Sequence, residues 1–159
     1  MGMIVRELQL QDRGAVQDML RACGVFTEEE VRVALEVVDE GLSGGLEGDY
    51  PHFAVEVDGQ VHGYVCVGKT PLTIGTWHLY WMCVHPSAQG SGAGRALQVH
   101  AEAFVRARGG ERIVLETSSQ PSYVRTRRFY QSAGYTQVGI IRNFYKPGDD
   151  CLIFCKELK

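Results

Sequence analysis

Apolar residues along this chain alternate between two periods, every second position and every third or fourth, and the switches mark successive elements. Met3 to Leu8 alternates and predicts a first strand. Asp12 is placed to cap a helix running to about Cys23, with Val16, Met19 and Leu20 on one face. Thr27-Glu28-Glu29-Glu30 reads as a capping box. Val31, Leu35 and Val38 continue it at helical spacing, and Gly41 is predicted to stop it. Residues 43–50, rich in glycine, are expected to form a mobile loop.

A meander follows. His52–Val57 and Val61–Lys69 flank Asp58-Gly59, a strong hairpin signal, and Thr76–Val84 supplies a third strand. A helix is expected from Gly92 to about Arg108, ended by Gly109-Gly110. Arg112–Thr117 reads as a strand, Ser122–Ala133 as a helix ended by Gly134, and Gln137–Arg142 as a strand. Asn143–Asp150 is predicted as a loop with a Pro-Gly turn, and Cys151–Glu157 as the last strand. The order β-α-α-β-β-β-α-β-α-β-β predicts a mixed α/β protein of three layers.

Composition narrows the classes of function. A length of 159 residues matches one domain, with 45% hydrophobic and 22% charged residues. A formal net charge of -3 gives no basic face for nucleic acid. Apolar runs are strand-sized and broken by charge, so no membrane span is expected, and the opening residues show no signal-peptide apolar region. The five cysteines, Cys23, Cys66, Cys83, Cys151 and Cys155, form no CxxC pair. Free, mostly buried thiols and a cytoplasmic location are expected, with no metal site.

The chemistry concentrates in Val84-His85-Pro86-Ser87-Ala88-Gln89-Gly90-Ser91-Gly92-Ala93-Gly94-Arg95. Glycines at 90, 92 and 94 stand between a predicted strand and a predicted helix. Backbone N–H groups in such a turn, together with the helix N-terminus, make a concave anion site. A dinucleotide loop would need glycine where Arg95 stands, and a Walker loop would need Gly-Lys-Ser/Thr at its end. Neither fits, whereas Gln-x-x-Gly-x-Gly fits at Gln89, Gly92 and Gly94, preceded by Val-x-Pro.

This motif resembles the acyl-CoA loop of the GNAT superfamily of N-acetyltransferases. Thr126-Arg127-Arg128-Phe129-Tyr130 with Gly134-Tyr135 resembles the second signature of that superfamily. The element order agrees, so the resemblance covers residues 3–159 as a single acetyltransferase domain with a mixed, mostly antiparallel sheet flanked by helices. The stretches Glu116-Thr117-Ser118-Ser119 and Asn143–Asp150 are similar to small prokaryotic members of the superfamily.

The resemblance implies acetyl-CoA as cosubstrate, held by Val84, Gln89, Gly90, Ser91, Gly92, Ala93, Gly94 and Arg95. It implies Tyr130 as the acid that protonates the leaving thiolate, and a homodimer is compatible with it. Where many relatives carry a coenzyme-binding Asn, this chain has Tyr123, leaving Ser118, Ser119, Ser122 or Thr126 to supply a hydroxyl. An amine of pKa about 10.4 is almost wholly protonated at neutral pH, so a base or a desolvating pocket is required. Glu116, and His78 or Tyr80 on Thr76–Val84, are the candidates, with a water chain as the alternative. A bulge in Thr76–Val84 and a V-shaped gap lined by Val84 and Glu116 are implied. The acceptor is expected to be a primary amine of a small molecule or peptide. The acids of Thr27–Tyr50 with Asp149 and Asp150 would favour a cation, although a solvated helix face explains most of them. Trp77, Tyr80, Trp81, Phe144 and Tyr145 are candidates for its pocket or for core. The competing reading is a catalytically silent module that binds acyl-CoA as a sensor or regulatory partner.

Overall fold

In the computed structural model, which describes residues 2–159, every alternating segment is a strand. The strands are β1 (Met3–Glu7), β2 (His52–Val57), β3 (Gln60–Lys69), β4 (Thr76–Val84), β5 (Arg112–Ser118), β6 (Thr136–Lys146) and β7 (Asp149–Glu157). The helices are α1 (Arg13–Ala22), α2 (Glu28–Gly44), α3 (Ala93–Ala107) and α4 (Val124–Ser132). The element order agrees with the sequence reading.

The strands form one sheet in the order β1-β2-β3-β4-β5-β7-β6, antiparallel except for the β4–β5 pair. That pair is parallel because α3 returns the chain across the sheet before β5 begins. Successive residues of β3 enter different cores, as the strand period requires. Val65 and Val67 pack with Leu97, Val105 and Phe154 beside α3. Tyr64 packs with Val16, Leu20 and Val38 of α1 and α2. The result is three layers, with α1 and α2 on one face and α3 and α4 on the other.

The capping box forms as predicted. Thr27 Oγ accepts from the Glu30 N–H at 3.1 Å, and Glu30 Oε1 accepts from the Thr27 N–H at 3.0 Å. Gly41 does not stop the helix, which runs to Gly44 and ends at Gly45 with φ +68°. A Cβ on Gly41 would lie 2.3 Å from His52 Nδ1 and 2.4 Å from the Tyr50 carbonyl oxygen. Gly41 therefore serves close approach to β2, and the predicted 43–50 loop is shortened accordingly. Asp12 also differs from expectation, since its side chain caps no helix N–H. It accepts instead from the Gln9 N–H at 2.8 Å and from the Arg6 guanidinium at 2.7 Å.

The larger difference lies at 143–150, predicted as a loop. Strand β6 runs through Lys146, which pairs with Asp149 across Pro147-Gly148. The ladder is irregular between Ile141 and Lys146, and side chains fill in for backbone. Asn143 N–H donates to Asp150 Oδ1, and Gly148 N–H donates to Asn143 Oδ1, each at 2.8 Å. Asn143 itself takes φ +55°. Polar residues therefore sustain a hairpin that the hydrophobic pattern did not reveal.

Candidate active site

The site begins where two strands part. β4 and β5 pair only over Thr76–His78 and Arg112–Val114. Past that point β5 stays on β7 while β4 stays on β3. The β3–β4 register shifts between Cys66 and Val67, which face Trp81 and Leu79, so Tyr80 is the extra residue of a bulge. The implied bulge and gap are both present.

At the end of β4 the chain folds into a tight turn over Pro86–Ala88, with His85 Nδ1 accepting from the Ser87 N–H at 3.1 Å. Gln89 Nε2 then donates back to the Val84 carbonyl at 3.2 Å, tying the glycine loop to the strand. Gly92 has φ +93° and ψ 0°, a conformation that side chains rarely tolerate. Gly92 is also the N-cap of α3 and supplies no side-chain cap. The first-turn N–H groups of α3 thus face outward at the positive end of a fifteen-residue helix.

A cavity of about 440 Å³ opens beside this loop. Val84, Gln89, Gly90, Gly92, Gly94 and Arg95 line one side of it, and Thr126, Phe129 and Tyr130 of α4 line the other. Tyr130 is 6% exposed. Burial pushes its phenol up, with the neighbouring Cys83 adding to the effect, so it holds its proton across neutral and moderately basic pH. The helix carrying it is anchored at its C-terminus, where Lys156 Nζ donates to the Ala133 carbonyl at 2.7 Å and to Glu102 at 2.9 Å.

Other predicted residues sit elsewhere. Ser91 Oγ accepts from the Ala93 N–H at 3.3 Å, and neither residue is among those lining the cavity. His78 stacks on Tyr80 with ring centroids 5.2 Å apart, and Glu116 is exposed on β5 opposite Ile153; both lie outside the cavity. Glu116 and Asp149 belong to the charge surroundings of Tyr145, whose phenol is raised by burial first and by these groups in addition.

Of the candidate hydroxyls, Thr126 alone lines the cavity. Ser118 Oγ bonds Asp149 Oδ1, and Ser119 Oγ accepts from the Asp150 N–H at 2.8 Å, so both brace the β6–β7 hairpin. Tyr123 is half-buried outside the cavity, its phenol pushed up to about 12 by burial. Arg125 was not singled out by spacing, yet it lines the cavity one helical turn before Phe129. Its signal was a run of arginines on α4 in a chain of net negative charge.

The expected acidic field is largely paired. Arg21 bonds Glu28 at 2.9 Å, Arg32 bonds Glu36 at 2.6 Å, Arg13 bonds Asp39 at 2.7 Å and Arg108 bonds Glu47 at 2.7 Å. The aromatic residues are divided as well. Trp77 packs in the core against Phe104, Trp81 meets Phe26 edge to face, and Phe144 and Tyr145 are only half-exposed, at 51% and 47%.

Among the described residues no helix is long and apolar enough to cross a membrane, and no cluster of metal-ligating side chains is present.

Known proteins resemble this chain in sequence and in fold. The family model described as the acetyltransferase (GNAT) family matches residues 15–135. An uncharacterised N-acetyltransferase of Methanocaldococcus jannaschii is 28% identical over 158 residues, covering 98% of this chain and 92% of that protein. A Desulfovibrio desulfuricans protein assigned to the GNAT family of acetyltransferases is 39% identical, with a TM-score of 0.92 over 99% of this chain and 100% of that one. An N-acetyltransferase from Thermoplasma acidophilum, solved with coenzyme A, shares the fold at 17% identity, with a TM-score of 0.77 over 99% of each chain. With a mixed seven-stranded sheet, a splayed β4–β5 pair and a family match running from α1 to Tyr135, this chain belongs to the acetyltransferase (GNAT) family.

Proposed function

We propose that the cavity between β4 and α4 takes acetyl-CoA, and that the protein passes the acetyl group to a primary amine of a small molecule or peptide by direct attack in a ternary complex. The observation that carries this reading is that Gln89, Gly92, Gly94 and Tyr130, distant in sequence, line one cavity at the open end of the β4–β5 pair.

The residues fit the cosubstrate. Beyond Ala93, whose N–H is held by Ser91 Oγ, the first turn of α3 offers N–H donors to a diphosphate, and the exposed Arg95 and Arg125 beside it add positive charge. Phe129 and Met82 supply apolar lining for an uncharged arm. The edge of β4 past the splay leaves Val84 backbone groups free of a β5 partner, which suits strand-like pairing with the amides of that arm. Acetyl-CoA supplies an acetyl group already activated as a thioester.

Tyr130 is the proton donor in this reading. Its buried phenol keeps a proton for a leaving thiolate, and the loss of that proton is easiest when a strong base appears next to it. Glu116, exposed on the β5 side of the gap, or His78 at its vertex, would accept the amine proton through intervening water, since both lie outside the cavity. No ordered path from either is required before the acceptor is bound.

The test is a screen of amines and peptides for release of free coenzyme A thiol from acetyl-CoA, with thermal unfolding alongside. At about a hundred times its dissociation constant, acetyl-CoA should add roughly 2.7 kcal/mol to stability, or on the order of 5–10 °C. Absence of a shift, or a shift without thiol release across the panel, would count against this reading.

A further inference from the structure

Two thiols the acetyl-transfer reading does not use meet beside the cavity. Cys23 follows the last turn of α1, and Cys83 stands on β4 one residue before Val84. Their sulfurs are 2.9 Å apart. A disulfide spans about 2.05 Å, so the remaining gap is under about 1 Å. Cys83 is buried and lines the cavity, whereas Cys23 is half-buried. Cys23 Sγ also lies 3.6 Å from the Val84 carbonyl, the same oxygen that Gln89 holds.

We propose that Cys23 and Cys83 form a redox-active dithiol, oxidised by small-molecule disulfides, whose closure weakens acetyl-CoA binding in the adjoining cavity. The second clause rests on the proposed function; the first does not.

The chemistry balances as two exchanges. The Cys23 thiolate attacks one sulfur of the small disulfide, forming a mixed disulfide and expelling a thiolate. Cys83, after giving up its proton, attacks Cys23 Sγ and expels the second thiolate. The protein loses two electrons and two protons, and the small disulfide becomes two thiols. The order of events follows from the pair itself. The hydrogen-bonded contact between the two sulfurs holds the Cys23 thiol below its usual range, while that contact and burial push Cys83 up. The more acidic thiol is also the more exposed one, as the attacking partner must be.

Closure would draw α1 and β4 together at Val84 and remove the Cys23 contact with the Val84 carbonyl. The other thiols are poorly placed to compete. Cys66 and Cys151 are buried, and Cys155 faces Glu157 with its thiol raised by burial.

The test incubates the reduced protein with excess glutathione disulfide, counts free thiols, and maps the linked peptides by mass spectrometry. The expected result is loss of two of the five thiols, one Cys23–Cys83 link, and reversal by dithiothreitol. Five persisting thiols, or a link elsewhere, would overturn the dithiol. Calorimetric titration should show acetyl-CoA binding roughly three- to tenfold weaker to the oxidised protein, with Cys23→Ala insensitive to the oxidant. Equal affinity in both redox states would overturn the coupling. If the reduced protein binds no acetyl-CoA, the proposed function fails, while the thiol count still decides the dithiol.

Discussion

Gln89 Nε2 donates to the Val84 carbonyl oxygen at 3.2 Å, so a single side chain clamps the glycine loop to the end of β4. The loop otherwise depends on turn bonds such as Ser91 N–H to the Ala88 carbonyl at 3.2 Å. A neutral hydrogen bond of this kind contributes about 0.5–1.5 kcal/mol. Gln89→Ala should therefore weaken acetyl-CoA binding about two- to tenfold by calorimetry, with little change in melting temperature. Unaltered affinity would show that the loop keeps its shape without the clamp.

Tyr130→Phe removes the hydroxyl and keeps the ring that meets Phe129 and Tyr135 edge to face. Folding and acetyl-CoA affinity should persist, while kcat falls about 10²–10⁴-fold. Full turnover by this variant would remove Tyr130 from the acid role.

Glu102, 5% exposed, ties α3 to β7 and, through Gln98, to the turn before β6. It accepts from Lys156 Nζ at 2.9 Å and from Gln98 Nε2 at 3.1 Å, and Gln98 also donates to Tyr135 OH at 2.6 Å. Removing one partner of a buried ion pair costs about 3–5 kcal/mol. Since Lys156 is partly exposed, the lower end applies to Glu102→Ala, a fall of roughly 6–12 °C in Tm at this size. Calorimetry that finds less than about 2 °C would mean the network adds little to stability.

His52 sets an acid limit on stability. Burial pushes its imidazole from 6.5 down to about 4, opposed by the bond to the Tyr50 carbonyl at 2.7 Å. Between these values the unfolded chain binds a proton that the folded protein does not, so stability rises with pH across that window. The loss on acidification from pH 6.5 to 4 is on the order of 3 kcal/mol. Denaturant unfolding at stepped pH should show this slope in the parent and a flatter one in His52→Asn, whose amide can still donate to Tyr50. Equal slopes would assign the acid limit to other groups.

Local signals were legible wherever the physics is local. The Thr27–Glu30 box, the Asp58-Gly59 hairpin and the glycines around Gly92 each depend on residues within one turn of each other, and each forms where the pattern puts it. The constraint on Gly41 comes from Tyr50 and His52 across a loop, a contact with no trace in helical periodicity. The Asn143–Asp150 hairpin leaves no apolar alternation in the sequence, because side-chain bonds from Asn143 and Asp150 sustain it. Arg125 carries no spacing signal, because only the packing of α4 beside the loop brings it to the cavity.

Backbone geometry and short spacings encode the order of elements, the glycine loop between β4 and α3, and the helix that carries Tyr130. Only the packing of whole elements separates β4 from β5 after His78, brings Tyr130 and the loop to one cavity, and pairs Glu28, Glu36 and Asp39 of α2 with arginines. It also decided that Cys23 and Cys83, sixty residues apart, touch. Contacts between elements depend on how whole faces pack, and no window of sequence contains both faces.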